Sequence, residues 1–377
     1  MYKKERVKKM NILAGLFNFN WTDPLRPDWD YVGDKIAISL FGKIDIAWYA
    51  IMISMAIVLS IVIGYFGYAK RLGANSELLS EGVIIGVLAG VIGGRAWYVI
   101  ADIVKSWTSD YQTSFTSIGS IIDIRSGGLA ISGAILLVGI ALFIFCRYRK
   151  LKLLYILEIV LPLVMLSQVL GRWGNFFNFE AHGGLIQVEG LKEALEKSWL
   201  TLPKEFDYVL EAQRKVLWFL PKAIVDRMYI YDEVAGAYGY CHPCFLYEGV
   251  ANLFGFTAYM LIRRFVKKGV YVGDGISFYL VWYGTVRFFI EMLRTDAQTI
   301  GNSNIPVVMV YSTLMVIAGI VWFIVRRVKK IQLETCYNAL YGFDSTLHID
   351  PNNKGNKKKN KKQKTQIETE VVENAEI

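Results

Sequence analysis

The polar residues that follow one apolar stretch are the part of this chain best suited to chemistry. The stretch from Leu153 to Leu170 is followed by the run Gly171-Arg-Trp-Gly-Asn-Phe-Phe-Asn-Phe-Glu-Ala-His-Gly183. Ionisable groups so close to hydrocarbon are costly, and they usually have a function. Arg172 offers a fixed fork of donors and a permanent charge, while Asn175 and Asn178 add neutral donors for glycerol or phosphate oxygens. The run therefore indicates a phosphate site at a membrane boundary, where phospholipid headgroups supply the phosphate.

A second group of charges recurs along one predicted helix. Arg287, Glu291 and Arg294 are spaced i, i+4 and i+7, so they share one helix face. With Arg95, which follows the glycines of another span, they would bring several guanidinium groups to one membrane depth. Two plainer alternatives stay open. In one, Arg287, Glu291 and Arg294 form only a helix-end ion pair with snorkelling arginines. In the other, Arg95 forms one buried ion pair at a contact between small residues.

Glutamates and histidines lie beside these arginines in the predicted topology. Glu180, Glu248 and Glu291 either orient the arginines or bind a substrate hydroxyl, or they only neutralise buried charge. His242 and His182 carry imidazoles, whose ordinary pKa near 6.5 allows them to accept a proton from an incoming nucleophile. The alternative for His242 is a polar residue before a proline at a helix start.

Long apolar helices must position these residues. Hydrophobic residues make up 54% of the 377 positions and the mean hydropathy is +0.34, values too apolar for an ordinary soluble protein. Runs of about 20 apolar residues cross roughly 30 Å of hydrocarbon as helices. The sequence predicts an all-α integral membrane protein with seven transmembrane helices, at Trp48 to Tyr68, Gly82 to Val104, Gly128 to Cys146, Leu153 to Leu170, Pro243 to Ile262, Gly275 to Leu293 and Ile305 to Val325.

Basic residues predict the orientation of these spans, because short loops rich in lysine and arginine stay cytoplasmic. Four basic clusters fall on one side of the predicted membrane: Lys70-Arg71, Arg147 to Lys152, Arg263 to Lys268 and Arg326 to Lys330. The N-terminus is then outside and the C-terminus cytoplasmic. The polar motifs of the spans all fall in the outer leaflet.

The remaining segments suggest a simple domain organisation. Residues 1–42 form an N-terminal extracytoplasmic arm, and residues 43–330 form the seven-helix domain. Within that domain, residues 175–241 form a small extracytoplasmic cap with helix-like stretches at Val188 to Trp199 and Lys204 to Leu220. Residues 331–377 are a cytoplasmic, largely disordered tail whose lysine run favours contact with anionic lipid over nucleic acid. Cys241 and Cys244 fall on the outer side of the membrane and leave a disulfide or a metal site open there, on weak evidence.

At this point the residues resemble a known family. The run from Gly171 to Gly183 closely resembles the signature of prolipoprotein diacylglyceryl transferases, which are bacterial membrane enzymes. Further matches lie around it in the order of that family: Trp48-Tyr49, Gly93-Gly94-Arg95 with Tyr98, Gly127-Gly128-Leu129, His242-Pro243 with Leu246-Tyr247-Glu248, and Tyr283-Gly284 with Arg287-Phe288, Glu291 and Arg294.

The resemblance implies a seven-helix enzyme of the bacterial cell membrane. Its partners would be phosphatidylglycerol and a prolipoprotein signal peptide with a lipobox cysteine. The diacylglyceryl group would move onto the cysteine thiol, giving a thioether and glycerol 1-phosphate, in the first step of lipoprotein maturation. No metal or other cofactor is needed, because the leaving group is already charged and arginine serves as the electrophile.

The resemblance also implies roles for residues of the site. Arg172 and Arg287 would bind the lipid phosphate and stabilise the leaving group, and Arg95 is the next candidate for this role. Asn175, Asn178 and Tyr49 would position the headgroup, and Glu180, Glu248 and Glu291 would hold the arginines. This chain departs from the family at Ser132, where a histidine or tyrosine is usual. Deprotonation of the thiol then falls to His242, to His182 or to water, helped by nearby arginines.

Two other classes of protein compete with this enzyme. A transporter or channel for an anionic solute predicts charges through the membrane centre and on both sides, whereas here the charges crowd one leaflet. A receptor or structural membrane protein predicts that arginine replacements leave lipoprotein processing unchanged.

Overall fold

The computed structural model describes residues 36–40, 44–69, 76–108, 113, 115, 117–123, 128–197, 206–232, 234–295, 305–331 and 333–341. The N-terminal arm up to residue 35, the tail beyond residue 341, and Gly127 of the predicted motifs lie outside the described residues. In chain order the elements are β1 (Ile36–Leu40), β2 (Ile44–Ala47), α1 (Trp48–Gly64), α2 (Ser76–Thr108), α3 (Ile118–Ile122), α4 (Ile131–Tyr148), α5 (Leu153–Asn178), α6 (Leu191–Lys197), α7 (Asp207–Val216), α8 (Lys222–Asp226), β3 (Tyr229–Asp232), β4 (Ala237–Tyr240), α9 (Cys244–Phe265), α10 (Asp274–Glu291), α11 (Val307–Val328) and α12 (Cys336–Tyr341).

Six of the described helices are long and apolar enough to cross a membrane. They cover Trp48–Tyr68, Glu77–Trp107, Ile131–Tyr148, Leu153–Asn178, Cys244–Phe265 and Val307–Val328. The prediction of a largely helical, multi-pass membrane protein is therefore confirmed. The predicted sixth span is present as helix α10, but its 18 residues include Asp274, Arg287 and Glu291, and these charges lower its hydropathy. The count of seven spans stays a prediction.

The contacts divide the chain into two compact units. Unit 1 contains residues 1–62, 160–265 and 274–333. Within it, helices α10 and α11 approach closely at Gly284, which has no side chain. A Cβ there would lie 2.8 Å from the carbonyl oxygen of Ser312. Asp274, at the start of α10, accepts hydrogen bonds from Arg326 (2.6 Å) and Arg327 (2.8 Å) of α11, which fixes the ends of both helices together.

The segment between α5 and α9 has its own hydrophobic core in unit 1. Leu185, Leu191, Val209 and Tyr240 belong to one buried cluster that includes residues of α6, α7, β3 and β4. Gln213 of α7 is fully buried, donates to the carbonyl of Ile186 (2.9 Å) and accepts from the backbone N–H of Tyr240 (3.1 Å). The two helical stretches expected here correspond to α6 and α7. The antiparallel pair of β3 and β4 was not predicted.

Unit 2 contains residues 63–159, 266–273 and 334–377. Helices α2 and α4 cross where Gly93 and Gly133 meet, and a Cβ on either glycine would collide with the backbone of the other. Glu158, which is fully buried, accepts a hydrogen bond from the backbone N–H of Gly273 at 2.7 Å. Small residues therefore allow close helix packing in this unit, and a buried carboxylate holds one of its turns.

Candidate active site

Aromatic residues anchor the end of helix α5. The rings of Trp173 and Phe176 pack against Phe245 of α9, with ring centroids 5.3 and 4.7 Å apart. Phe177 stacks on Trp48, the first residue of α1, at 4.6 Å. The signature run is therefore held between the starts of α1 and α9, which fixes the direction of its polar residues.

Four ionised side chains from three helices form one buried network. Glu248 of α9 accepts a hydrogen bond from Arg172 Nη2 of α5 at 2.6 Å and another from Arg287 Nη1 of α10 at 3.3 Å. Arg287 Nη2 also donates to Glu291, one turn along α10, at 2.8 Å. The side chain of Glu248 is completely buried, so its charge is compensated by the two arginines rather than by water.

Arg172 is the open end of this network. Its side chain is 17% exposed, against 7% for Arg287. Within the part of the chain that the structure describes, its guanidinium makes the one hydrogen bond to Glu248. A guanidinium has five N–H donors, so several remain for a ligand. The network is neutral overall, and its unused donors point to an anionic oxygen ligand beside Arg172.

Tyrosines surround the network. Tyr283 of α10 lies close enough to Glu248, Arg172 and Arg287 to interact with their charges. Tyr49 of α1 lies within range of Arg172 and Glu180, and its ring packs on the backbone of Gly174, where any side chain would collide with it. The helix starts and ends that meet here thus bring phenol groups to the arginines.

The asparagines of the signature run lie in the last turn of α5. Asn178 Oδ1 is buried and has no hydrogen-bond partner among the described residues. Asn175 is half-buried, and its carbonyl accepts the backbone N–H of Glu180 at 3.0 Å. The Glu180 side chain is exposed. Asn178 therefore has a free acceptor for a hydroxyl-bearing ligand.

The chain turns sharply after α5. Phe179 and Ala181 have φ values of 56° and 57°, a left-handed conformation that is uncommon for residues with a Cβ and often marks a functional site. Beyond this turn, Gly183 N–H donates to the carbonyl of His242 at 2.9 Å, and the N–H of His242 donates to Gly184 at 3.1 Å. Gly183 also pairs with Arg294, just past the end of α10. The turn therefore brings His182, His242 and Arg294 onto adjoining backbone segments.

Gly183 has no space for a side chain. A Cβ there would lie 2.7 Å from His242 Cβ, 2.8 Å from the Leu293 carbonyl oxygen and 2.9 Å from Cys244 Sγ. We expect Gly183→Ala to lower the free energy of unfolding by about 1–3 kcal/mol, because two backbone segments must move apart. Thermal unfolding measures this loss. Gly249→Ala in α9 is the control, since nothing lies within 4 Å of its Cβ. Equal stability of the two variants would contradict the prediction.

His242 is half-buried, and the neighbouring cysteines are buried. Burial lowers the pKa of His242 from its usual 6.5, so the imidazole is neutral at pH 7. Cys241 and Cys244 are both free thiols, and burial raises the pKa of Cys241. The disulfide that the sequence left open is therefore absent. Among the described residues no group of three or more histidine, cysteine or acidic side chains is arranged to hold a metal ion.

Arg95 lies in unit 2, where it bonds helix α3 and the residue Gly128. Its Nε donates to the carbonyl of Ile121 at 2.8 Å, and its two Nη atoms donate to Gly128 (3.1 Å) and Ser120 (2.7 Å). The side chain is buried, and Ser132, at the start of α4, is exposed. The geometry gives Arg95 a structural task, and its contact with lipid phosphate stays a prediction.

Three polar residues near the network were not selected from the sequence. Gln168 and Asn252 lie one helical turn from Arg172 and Glu248, and Tyr279 lies one turn from Tyr283. The four-residue spacing from a charged or motif residue was the available signal. It is easily overlooked, because each residue lies within a mostly apolar stretch.

Fold and site together define a polytopic helical membrane protein with a buried arginine–glutamate network among its membrane helices. The sequence model of the family described as prolipoprotein diacylglyceryl transferase matches residues 35–325. The chain belongs to that family, as the signature run predicted.

Several phosphatidylglycerol–prolipoprotein diacylglyceryl transferases are similar to this chain. The protein from Streptococcus uberis is 33% identical over 297 residues, which is 79% of this chain and 96% of the relative. The protein from Lactococcus lactis subsp. lactis is 34% identical over the same lengths, 79% and 96%. The protein from Staphylococcus aureus strain RF122 is 33% identical over 299 residues, 78% of this chain and 90% of the relative.

Proposed function

We propose that the network of Arg172, Glu248, Arg287 and Glu291 is the active site for transfer of the diacylglyceryl group from phosphatidylglycerol to a prolipoprotein. Membership of the family indicates this transfer, which is the first step of lipoprotein maturation. The observation that carries the assignment of the site is Arg172, which is held by Glu248 on one side and has donors left for phosphate.

The proposed step is a displacement at carbon. The thiolate of the lipobox cysteine attacks the glyceryl carbon next to the phosphate oxygen, and a carbon–sulfur bond forms as the carbon–oxygen bond breaks. The diacylglyceryl group becomes a thioether, and glycerol 1-phosphate leaves with the electron pair. Negative charge therefore develops on the leaving phosphate oxygen, which Arg172 and Arg287 stabilise.

The two glutamates make this stabilisation effective. Glu248 fixes both guanidinium groups through its two carboxylate oxygens, and Glu291 fixes the second Nη of Arg287. Donors that are already oriented cost no reorganisation when charge develops. Tyr49 lies at the start of α1 and Asn175 and Asn178 lie at the end of α5, and all three are proposed to position the headgroup. Arg294 and Glu180 are proposed to bind substrate beside them.

His242 is proposed to accept the thiol proton. Its lowered pKa keeps it neutral above pH 6.5, which is the form a base requires. We expect kcat/KM of the wild type to fall as the pH drops below 6.5, as the imidazole becomes protonated. In His242→Gln this acidic decline should disappear, while the alkaline rise from the substrate thiol remains. A profile from pH 5 to 9 measures both. An unchanged acidic decline in the variant would assign the proton to His182 or to water.

The topology belongs to the same proposal. Helix α10 is proposed to cross the membrane as well, as the sixth of seven spans, with the N-terminus outside and the C-terminus cytoplasmic. The packed segment within residues 175–241 is then an extracytoplasmic cap, residues 1–42 an external arm, and residues 331–377 a cytoplasmic tail. The hydrophobic core of the segment and the basic residues at the ends of α9 and α11 support this arrangement.

Reconstitution tests the function directly. Purified protein is incubated with phosphatidylglycerol and a synthetic lipobox peptide, and the peptide mass and the released phosphate ester are measured. We expect a diacylglyceryl mass increase on the peptide and one glycerol phosphate for each peptide modified. A peptide with serine in place of the cysteine is the control. Absence of both products from folded protein would refute the proposal.

A further inference from the structure

A second polar layer lies one helical turn from the arginine network. It consists of Gln168 in α5, Asn252 in α9 and Tyr279 in α10. Gln168 precedes Arg172 by four residues, Asn252 follows Glu248 by four, and Tyr279 precedes Tyr283 by four. Because residues four apart share a helix face, the three side chains continue the faces that form the network, displaced along the helices by about 6 Å.

Contacts on both sides hold these three faces together. On one side Arg172 bonds Glu248, and on the other a Cβ on Gly255 would lie 2.6 Å from Met165 Cε and would collide with the Trp282 ring. Gln168 and Asn252 therefore lie between two contact points of α5 with α9. Gln168 Nε2 donates to the hydroxyl of Tyr279 at 2.9 Å, and the Tyr279 ring stacks on Tyr283 at 5.6 Å.

The second polar layer has unused hydrogen-bonding groups. Asn252 is completely buried, and neither its Oδ1 nor its Nδ2 has a partner among the described residues. Gln168 Oε1 is buried and equally unpartnered. Both residues lie inside membrane-spanning helices, where water is scarce and an unpaired amide is costly. Such groups are expected to have a ligand.

The balance of donors and acceptors identifies the class of ligand. Gln168 Oε1 and Asn252 Oδ1 accept, whereas Asn252 Nδ2 donates, and the Tyr279 hydroxyl, which already accepts from Gln168, has its own proton to donate. An ester carbonyl or a phosphate diester only accepts and would leave both amide oxygens unpaired. A pair of hydroxyl groups donates and accepts, so it satisfies the layer.

We propose that the second polar layer binds the two hydroxyl groups of the glycerol headgroup and thereby selects phosphatidylglycerol. This inference rests on the proposed function, because it requires the lipid phosphate to lie beside Arg172. The headgroup glycerol is attached directly to that phosphate, and it is long enough to extend over one helical turn to the layer. Asn252 is then a specificity-determining residue, and lipids whose headgroup lacks hydroxyls lose their bonds to the layer.

The test compares phosphatidylglycerol with phosphatidylpropanol, whose headgroup has the same three carbons and no hydroxyl. We expect wild-type kcat/KM to favour phosphatidylglycerol by about a hundredfold or more, since sites that bind a substrate hydroxyl reject analogues without it. Asn252→Leu should lower kcat/KM for phosphatidylglycerol by about a hundredfold and that for phosphatidylpropanol far less. Tyr279→Phe, which keeps the ring, should lower the preference in the same direction.

Thr257→Val on α9 is the matched control. Its hydroxyl bonds the Leu253 carbonyl and its side chain is exposed, so both lipids should react as in the wild type. A wild-type preference near one would overturn the inference. So would an Asn252→Leu variant that loses equally with both lipids, which is the result expected if the layer holds only ordered water.

A binding measurement separates this inference from the proposed function. Glycerol 1-phosphate should raise the unfolding temperature of the wild type more than propyl phosphate does, and Asn252→Leu should remove the difference. If the wild type shows this preference but transfers no diacylglyceryl group, the proposed reaction fails and the layer stands. If the two esters stabilise the wild type equally, the layer does not bind hydroxyl groups.

Discussion

Arg287→Ala is expected to lower kcat/KM for diacylglyceryl transfer by about 10³-fold. Arg287 is buried between Glu248 and Glu291, so its charge acts in a medium of low dielectric where stabilisation of a leaving phosphate is strong. Arginines that meet transferring or leaving phosphates contribute effects of about 10³-fold or more in related chemistry. The initial rate of peptide modification, measured per folded molecule over a range of lipid concentrations, gives the effect.

Arg287→Lys separates charge from geometry at the same position. A lysine keeps the positive charge but reaches only one carboxylate at a time, whereas the arginine bonds Glu248 through one Nη and Glu291 through the other. We expect this variant to recover part of the loss of Arg287→Ala and to remain well below the wild type. Arg172→Ala should resemble Arg287→Ala. Alanine variants with rates within tenfold of the wild type would refute the phosphate assignment.

A matched control exists on helix α11. Arg326 is completely buried and pairs with Asp274 at 2.6 Å, so replacing it by alanine removes a buried guanidinium from an ion pair in the same unit. Arg327, one quarter exposed, donates to both Asp274 oxygens and provides a milder change. Alanine at either position should lower stability and leave kcat/KM per folded molecule near that of the wild type. A loss of activity confined to Arg172 and Arg287 then reflects chemistry rather than folding.

The membrane helices were predictable because hydropathy is a local property. The apolar runs that begin near Trp48, Leu153 and Pro243 correspond to helices α1, α5 and α9. The spacing of Arg287 and Glu291 likewise predicted one helix face, and the two side chains do pair. Both results depend on residues that are near in sequence, where helix geometry alone determines the neighbours.

The bridging role of Glu248 was not predictable in the same way. The carboxylate contacts arginines 76 and 39 residues away, on two other helices, and sequence spacing carries no information on the register of one helix against another. The same limit applies to Arg95, whose donors bond backbone carbonyls 25 to 33 residues away. The β3–β4 hairpin was missed for another reason. Its tyrosines alternate at 229, 231, 238 and 240, a pattern typical of strands, but the helix-like stretches beside it drew the prediction for this segment.

Glu248→Gln is expected to cause the largest loss of stability among single changes in the network. The variant keeps the shape of the side chain but removes the charge that compensates two buried arginines, and its amide NH₂ must face a guanidinium. Loss of one partner of a buried ion pair costs about 3–5 kcal/mol. Glu291→Gln should cost about half as much, because Glu291 pairs with Arg287 and Glu248 pairs with both arginines.

Thiol reactivity offers a direct measurement of this unfolding. The four cysteines, Cys146, Cys241, Cys244 and Cys336, are all free and buried, so a thiol-reactive dye reports the temperature at which they become exposed. Glu81→Gln in unit 2 is the control, since its ion pair with Arg149 is 41% exposed on both sides and such pairs contribute at most about 1 kcal/mol. Its unfolding temperature should remain close to that of the wild type.

The response of Glu248→Gln to product distinguishes a binding site from a purely structural ion pair. Removing the carboxylate leaves the site with one positive charge in excess, so an added phosphate monoester can replace the missing anion. Glycerol 1-phosphate should therefore raise the unfolding temperature of Glu248→Gln more than that of the wild type, because a ligand stabilises in proportion to its affinity for the folded state. The same ester should leave Glu81→Gln at the wild-type response. If Glu248→Gln responds no more than the wild type, the arginines pair with the glutamates of the network but do not bind the lipid phosphate.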